Sequence, residues 1–532
     1  MRVLVINLTR MGDLIQTIGL INAIHQQSPN ARIDLLVMKS FAPIVGHFDH
    51  INEVISFDEE VFGANIPNDV WTAYAEMSKM IAYLNQNDYH SIYNPIISQQ
   101  SSIITYLVKA EHKFGMQITA TKEQKMTCDF SSYLLANQHS LGDFSFNLVD
   151  IFAGMTGRQT DPSGYNLKVF PADKESIKTI SEKVRAAGKP VIGFHIGASA
   201  SNKAWNIEYY RKVIDILLVA EKYSLILFGG YKEKDFEYAF TDIRHSLFFN
   251  LIGAFKLNEL IAAIDIIDLM VTNDTGPMHI ATALKKPVID ISLGPVSKWE
   301  SGPYNQNALI IEANLDCHPC NFSFECPHWN CHHCITPDIV VNAVEYMFSG
   351  TLKPHPDVRF FTTAIDQFSF LSFTPRFAET ISRKEYIFLL KRFVWSLYFR
   401  GQMEADKATL RQRFGEVLQP YRVPDLDFTD WRRYLLALIE IIDIIQKNLK
   451  NVTFSTDKII LDKNREYLLL VKKSKEALFT KAREYDLIFD WFWFFTFKES
   501  EIEVFELEGI IKQTLDLYEV LKGKLEIFNE LL

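Results

Sequence analysis

The stretch DIIDLMVTNDTGPMHIATALKKPVIDISLGP, Asp265 to Pro295, decides how the rest of this chain is read. It divides into the end of one helix, a buried strand at Leu269–Thr272, a tight loop, a second helix and another strand at Val288–Ser292. The loop is Asn273-Asp274-Thr275-Gly276-Pro277. Asp274 and Thr275 are residue types that cap helices, Gly276 lets the backbone approach a ligand closely, and Pro277 suits a first helical turn. A strand that passes through such a loop into a helix leaves N–H groups aimed at a crevice. An anion there gains about 0.3–1 kcal/mol from the helix dipole, before hydrogen bonds are counted. His279 faces the same crevice one turn later. The same residues also describe an ordinary capped helix in a parallel sheet, and the loop alone leaves both readings open.

Upstream, strands and helices alternate back to the first residues. Strands are expected at Val3–Asn7, Ile33–Met38, Val54–Phe57 and Ser91–Tyr93, and again at Val191–His195 and Ser224–Phe228. Helices fall between them, one carrying Leu14, Ile15, Ile18 and Ile21 on a single face, others at Tyr209–Ala220 and Leu257–Ile264. Such alternation builds parallel, doubly wound sheets, and a less regular stretch near Gly154–Pro171 separates two of them. The expectation is an α/β fold of two sheets facing across a cleft.

The 532 residues, 48% of them hydrophobic, are enough for two or three domains. A net charge of -10 argues against nucleic acid as a partner. The opening MRVLVINLTR is too short an apolar run for a signal peptide and reads as a first strand. No segment holds enough uninterrupted apolar residues to span a bilayer. Five of the six cysteines cluster between Cys317 and Cys334, unlike the spread of a disulfide-stapled secreted fold, so a cytoplasmic protein is expected.

Three further loops carry chemistry. Asp13 follows Gly12 at a strand's carboxyl end, where open α/β sheets bind ligands. A carboxylate there serves either as a helix cap or as a general base, a role contributing about 10²–10⁴-fold. After the Val191–His195 strand comes Ile196-Gly197-Ala198-Ser199-Ala200-Ser201-Asn202-Lys203-Ala204-Trp205. Backbone N–H groups, the Ser199 hydroxyl and the Lys203 ammonium are parts that hold a diphosphate, or parts of a solvated loop. In Phe228-Gly229-Gly230-Tyr231-Lys232-Glu233, Glu233 is either a ribose acceptor or a surface charge. No G-x-G-x-x-G occurs, which weakens any dinucleotide reading.

Taken together these pieces resemble the ADP-heptose–lipopolysaccharide heptosyltransferases, glycosyltransferase family 9. The matching segments are RMGDLIQTIGLINAI (Arg10–Ile24), HIGASASNKAWNIEYYRKVI (His195–Ile214), LFGGYKEK (Leu227–Lys234) and NDTGPMHIATALKKPVIDISLGP (Asn273–Pro295), and the likeness extends over residues 1 to about 350. The resemblance implies a GT-B fold: a Rossmann-like acceptor domain at 1–165 and a Rossmann-like nucleotide-sugar donor domain at 166–350. It implies Asp13 as catalytic base, Lys203 on the donor phosphate with Ser199 beside it, and Glu233 at the nucleoside. Asp274, Thr275, Gly276 and His279 become the donor-binding signature. The implied reaction inverts the anomeric centre without a catalytic cofactor, and the donor implied is a nucleotide-diphosphate sugar, ADP-heptose first. Where family members that recognise a phosphorylated sugar carry a basic run, this chain has the acidic Asp58-Glu59-Glu60. The acceptor therefore stays open between a lipopolysaccharide or other surface glycan, lipid-linked or not, and a protein hydroxyl. A transferase using another nucleotide sugar, and a non-catalytic GT-B scaffold, are the alternatives; a GT-B epimerase is not favoured by these motifs.

Cys317, Cys320, Cys326, Cys331 and Cys334, interleaved with His318, His328, His332 and His333, contain two C-x₂-C pairs, enough for four thiolates around a structural zinc or iron. The alternative is a Cys-rich loop, 317–334, without metal. Beyond Pro354-His355-Pro356 no further αβ alternation is read. A C-terminal all-α domain at 355–532 is expected, with helices at Lys384–Tyr398, Trp431–Leu449, Arg465–Phe489 and Glu501–Leu532. On the last, Ile511, Leu515, Tyr518, Leu521, Leu525, Phe528 and Leu532 form one apolar face. The run Asp490-Trp491-Phe492-Trp493-Phe494-Phe495 reads as bundle core, the alternative being a surface for an inner membrane, an acceptor or a second copy in a homo-oligomer.

Overall fold

The computed structural model describes residues 1–62, 70–119, 124–139, 144–158, 162–320, 326–452, 458–483, 489–500 and 507–532. The chain divides into two compact units, Met1–Phe114 with Phe146–Phe377, and Gly115–Ser145 with Ala378–Leu532.

The first unit is built on two sheets. One is formed by β1 (Arg2–Asn7), β2 (Arg32–Met38), β3 (Ile51–Phe57), β4 (Tyr89–Asn94) and β5 (Ala110–Ile118) in the order β3-β2-β1-β4-β5. β1 runs parallel to both β2 and β4, Val3 lying opposite Ile33 on one side and Ser91 on the other. Helices cover both faces of a parallel sheet, so β1 is buried from Val3 to Asn7 and reads as an unbroken apolar run. The end of β5 passes into the second unit, where it pairs antiparallel with β6 (Gln124–Met126).

The other sheet has β7 (Val191–His195), β8 (Ser224–Phe228), β9 (Phe248–Asn250), β10 (Leu269–Thr272), β11 (Val288–Ser292), β12 (Ala308–Ala313), β13 (Val358–Ile365) and β14 (Leu371–Pro375). Their order is β14-β13-β12-β11-β10-β7-β8-β9. β7 lies between β8 and β10, parallel to both. In each sheet the strand order reverses at the strand that opens it, β1 or β7. Open sheets hold ligands at the carboxyl ends of such strands, where the flanking loops diverge.

Two boundaries differ from the sequence reading. The second sheet does not stop near residue 350, because β13 and β14 add an antiparallel hairpin to its edge. A hairpin needs no crossover helix, so the end of αβ alternation at Pro354 did not mark the end of the sheet. Their period-2 burial, alternating buried and half-buried positions from Leu371 to Pro375, is the signal that carries them. Residues 115–145 group with the C-terminal helices instead of the first sheet.

The second unit contains the helices Asp129–His139, Arg383–Phe399, Lys407–Leu418, Thr429–Lys450, Lys458–Ala482, Phe489–Ser500 and Leu507–Leu531. Ser382 and Glu385 form a capping box at the start of the second of these. The helix at Lys407 escaped the sequence reading; Asp406 caps it by accepting from the Ala408 and Thr409 N–H groups. In the aromatic run Trp491, Phe492, Phe494 and Phe495 are core, the Trp493 side chain lying outside the described residues, and Trp491 meets Trp395 edge to face at 6.3 Å between centroids. Burying each such side chain is worth about 1.5–3 kcal/mol. On the last helix Ile511, Tyr518, Leu521, Leu525 and Phe528 are buried, while Leu515 and Leu532 are half-buried. Among the described residues no helix is long and apolar enough to cross a membrane.

Candidate active site

The first contribution comes from the loop after β1. Helix Met11–Gln16 begins at Arg10, and Asp13 sits inside its first turn, not at its cap. The Asp13 carboxylate accepts from Thr9 Oγ1 at 2.8 Å, while its backbone carbonyl accepts from Thr17 Oγ1 at 2.9 Å. Burial pushes the Asp13 carboxyl above its usual range, with the Thr9 hydroxyl, His279 and Arg10 pulling it back.

The second contribution comes from the loop after β10. Helix Gly276–Ala283 starts at Thr275, whose hydroxyl does not cap it. That hydroxyl lies 3.2 Å from Thr272 Oγ1 and 3.5 Å from His195 Nδ1. Asp274 is turned toward a cation: Lys203 Nζ donates to its Oδ2 at 3.0 Å, and both side chains are less than 10% exposed. His279 Nε2 stands 3.6 Å from the other oxygen, Oδ1. Burial works against the Asp274 charge, but His279 and Lys203 hold its pKa down to about 2.

These two loops meet. A Cβ on Gly12 would lie 2.9 Å from the His279 ring, and one on Gly276 would run into Met11. The absence of both side chains lets the Met11–Gly12 turn close on the start of the second helix. The turn that carries Asp13 thus packs on the His279 ring, which lies beside Asp274, and Lys203 stands behind Asp274.

The loop after β7 is held from several sides. Asn273 Oδ1 accepts from the Trp205 N–H at 3.1 Å and from Tyr210 Oη at 3.0 Å, and its Nδ2 donates to the Ile291 carbonyl at 2.8 Å. These bonds fix the short turn Ser201–Lys203 beside Asp274. Glu233 reaches back over the glycines: its Oε2 accepts from the Gly230 N–H at 2.7 Å, and a Cβ on Gly197 would meet its Oε1 at 2.7 Å. His195 lies on the same side of Gly197, and burial lowers its pKa to about 4, so it is neutral at pH 7. Ser199 stays in the exposed part of the loop and joins none of these contacts.

Three groups add to the site that the sequence reading left without a role. Glu300, half-buried in helix Lys298–Ser301, has its pKa raised to about 8 by burial and by the charges of Asp274 and Asp13. Asp290 on β11 is fully buried, neither carboxyl oxygen has a hydrogen-bond partner, and burial and Asp274 push its pKa well above the usual range. A lone acid inside the apolar strand VIDIS is a signal that could have marked it. His195 was part of a quoted motif, yet only the fold aims it at Thr275.

The cysteine loop, Cys317 to Cys334, is described except for residues 321–325. All six cysteines are free thiols, and among the described residues no three of the five sulfurs from Cys317 to Cys334 lie close enough to share one ion. Burial raises the pKa values of Cys320, Cys331 and Cys334. The loop buttresses the Lys203 turn. His332 Nε2 lies 3.1 Å from the Asn202 carbonyl, and the Cys320 N–H donates to the Gly294 carbonyl at 3.0 Å.

Residues 77–329 match the model of glycosyltransferase family 9 (heptosyltransferase). A lipooligosaccharide heptosyltransferase 2 of Haemophilus influenzae is 25% identical over 329 residues, covering 58% of this chain and 88% of the relative. A Campylobacter jejuni protein of the same name is 31% identical over 166 residues, 30% of this chain, and the match spans only about half, 51%, of that relative's length. Among solved structures, a family 9 glycosyl transferase from Veillonella parvula superposes with a TM-score of 0.54 at 18% identity, over 66% of this chain and 98% of its own. That likeness is one of fold, the GT-B arrangement of two sheets.

Proposed function

From the premise that this chain carries a glycosyltransferase family 9 domain, we propose that it is an inverting transferase moving a sugar, heptose from ADP-heptose first, to an acceptor hydroxyl. The observation that carries the proposal is the meeting of two loops. The Gly12–Asp13 turn from one sheet packs on the ring of His279 from the other, His279 lies 3.6 Å from Asp274, and Lys203 pairs with Asp274 at 3.0 Å.

Asp13 is the general base. Its raised pKa brings it nearer the working pH, where a base is most effective. It takes the proton of the acceptor hydroxyl, the oxygen attacks the anomeric carbon from the face opposite the leaving group, and the nucleoside diphosphate departs. Charge growing on that diphosphate is met by the Lys203 ammonium and the N–H groups at the start of helix Gly276–Ala283, so no bound metal is required by this step. Losing one such preorganised donor costs about 2.7–4 kcal/mol in comparable sites. Glu233, which accepts from the Gly230 N–H, takes the ribose in this reading, and Ser199 on the exposed part of the loop takes a phosphate oxygen.

The acceptor is a glycan, lipid-linked or free, or a protein hydroxyl. Asp58 and Glu59 are engaged by the neighbouring Lys39 ammonium and Ser40 N–H, at 2.7 and 3.0 Å, which disfavours a phosphorylated acceptor there. Six free thiols fit a cytoplasmic site of action. The test is release of nucleoside diphosphate from a panel of nucleotide sugars with cell-envelope extract as acceptor. ADP-heptose turnover that disappears in Asp13→Asn, with donor binding retained, supports the reading. Near-wild-type turnover in that variant removes Asp13 from the chemistry, and no release from any donor leaves the fold as a binding scaffold.

A further inference from the structure

On the first sheet a group of side chains unrelated to the transfer site comes together: His90, Glu111 and His112. His90 is the second residue of β4, and Glu111 and His112 are the second and third of β5, its neighbour. One ligand atom from each lies within 4.8 Å of the other two. His90 Nδ1 is 2.8 Å from Glu111 Oε2, and His112 Nε2 is 3.6 Å from Glu111 Oε1. The two imidazoles cross at 88° with centroids 5.1 Å apart, and each has a ring nitrogen beside the Glu111 carboxylate.

We propose that these three side chains form a binding site for a divalent transition metal, with zinc the best fit. A tetrahedral ion with bonds of about 2.0–2.1 Å holds its donor atoms about 3.3 Å apart. The three ligand atoms, one from each residue, lie within 4.8 Å of one another, so side-chain rotations bring them to that spacing around an ion. Two imidazoles and one carboxylate suit zinc, cobalt or nickel, whereas calcium and magnesium demand shells of oxygen. The side chains are 38%, 65% and 52% exposed, which leaves the fourth position to water and the site open to exchange. His90 stands at the amino end of β4, whereas the transfer cleft lies at the carboxyl ends. The ion therefore takes no part in sugar transfer and acts as a clip between two adjacent strands.

The cysteine loop is the obvious competitor for added metal, and cobalt separates the two. Thiolate ligation gives intense near-ultraviolet charge-transfer bands, while nitrogen and oxygen ligation gives only weak visible ones. The full chain, stripped with chelator, is titrated with Co²⁺ and Zn²⁺ alongside His112→Ala, Glu111→Gln and Cys320→Ser. The expected result is one ion without thiolate bands in the wild type and in Cys320→Ser, bound at least about tenfold more weakly by the His112 and Glu111 variants. Zinc should also raise the melting temperature of the wild type relative to its own metal-free sample, and fail to do so in those two variants. Superimposable isotherms and equal zinc-induced shifts in all four proteins, or thiolate bands on the first ion bound, overturn the assignment.

Discussion

Replacing Lys203 by alanine tests the site where its electrostatics are strongest. Lys203 and Asp274 are 3.0 Å apart and nearly inaccessible. At an effective dielectric constant of about 20, opposite charges at that separation attract by about 5 kcal/mol. Deleting the ammonium leaves a buried carboxylate with His279 as its remaining neighbour, and breaking buried pairs in this way costs about 3–5 kcal/mol. The pH dependence follows in sign. The Asp274 pKa is depressed to about 2 from an ordinary 3.8, so it contributes about 2 kcal/mol that is fully present above pH 4 and lost as pH falls toward 2. Without Lys203 that pKa rises and the contribution shrinks. Hydrogen exchange of the 269–283 segment, which contains β10 and the helix after it, reads the effect locally at pH 7. Lys203→Ala should speed exchange there by two orders of magnitude or more, and adding Asp274→Asn should recover most of the loss. Calorimetry with ADP should show weakened binding in both variants, because the cation itself is gone. Unchanged exchange together with unchanged ADP affinity in Lys203→Ala would refute both the pairing energy and the phosphate role.

Three other outcomes follow from the same geometry. Glu300 is protonated at pH 7, so nucleotide affinity should fall as pH rises through about 8 and a second negative charge joins Asp274; Glu300→Gln should flatten that limb in a pH series of ADP titrations. Gly12→Ala pushes a methyl against the His279 ring, and turnover should drop about tenfold or more while ADP binding changes little; equal turnover would mean that the turn relaxes freely. In the helical unit, Lys524 Nζ is buried 3.1 Å from the Trp395 ring centroid, with no hydrogen-bond partner among the described residues, and burial lowers its pKa well below that of an ordinary lysine. A depressed lysine pKa makes protonation unfavourable in the fold, so stability should rise with pH toward the unfolded value. Lys524→Met should stabilise this unit by about 1–4 kcal/mol at pH 7, measured by denaturant unfolding followed through tryptophan fluorescence.

Much of the α/β part was legible because parallel strands buried on both faces must be written as apolar runs, and β1, β7, β8, β10 and β11 all are. The loops after β1, β7 and β10 were legible for a different reason: only glycines, capping residues and a few polar groups tolerate the ends of such strands. The edge hairpin β13–β14 was not, since its alternation is shorter than a helical repeat and follows a proline turn that imitates a boundary. The cysteine spacing was legible as a metal motif, but spacing along the chain does not fix where sulfurs point; among the described residues no three of these sulfurs lie together.

What the chain alone determined is which residue types stand at the end of each strand, because local backbone needs and burial select them. What only the tertiary structure decided is who faces whom. Asp13 and His279 are separated by more than half of the first unit's sequence, and nothing local ties one to the other. They become neighbours because Gly12 and Gly276 leave room for two loops from different sheets to close together. The pKa shifts of Asp13, Asp274 and Glu300 arise from that closure and from the burial it brings, quantities that belong to the folded molecule and to no segment of its sequence.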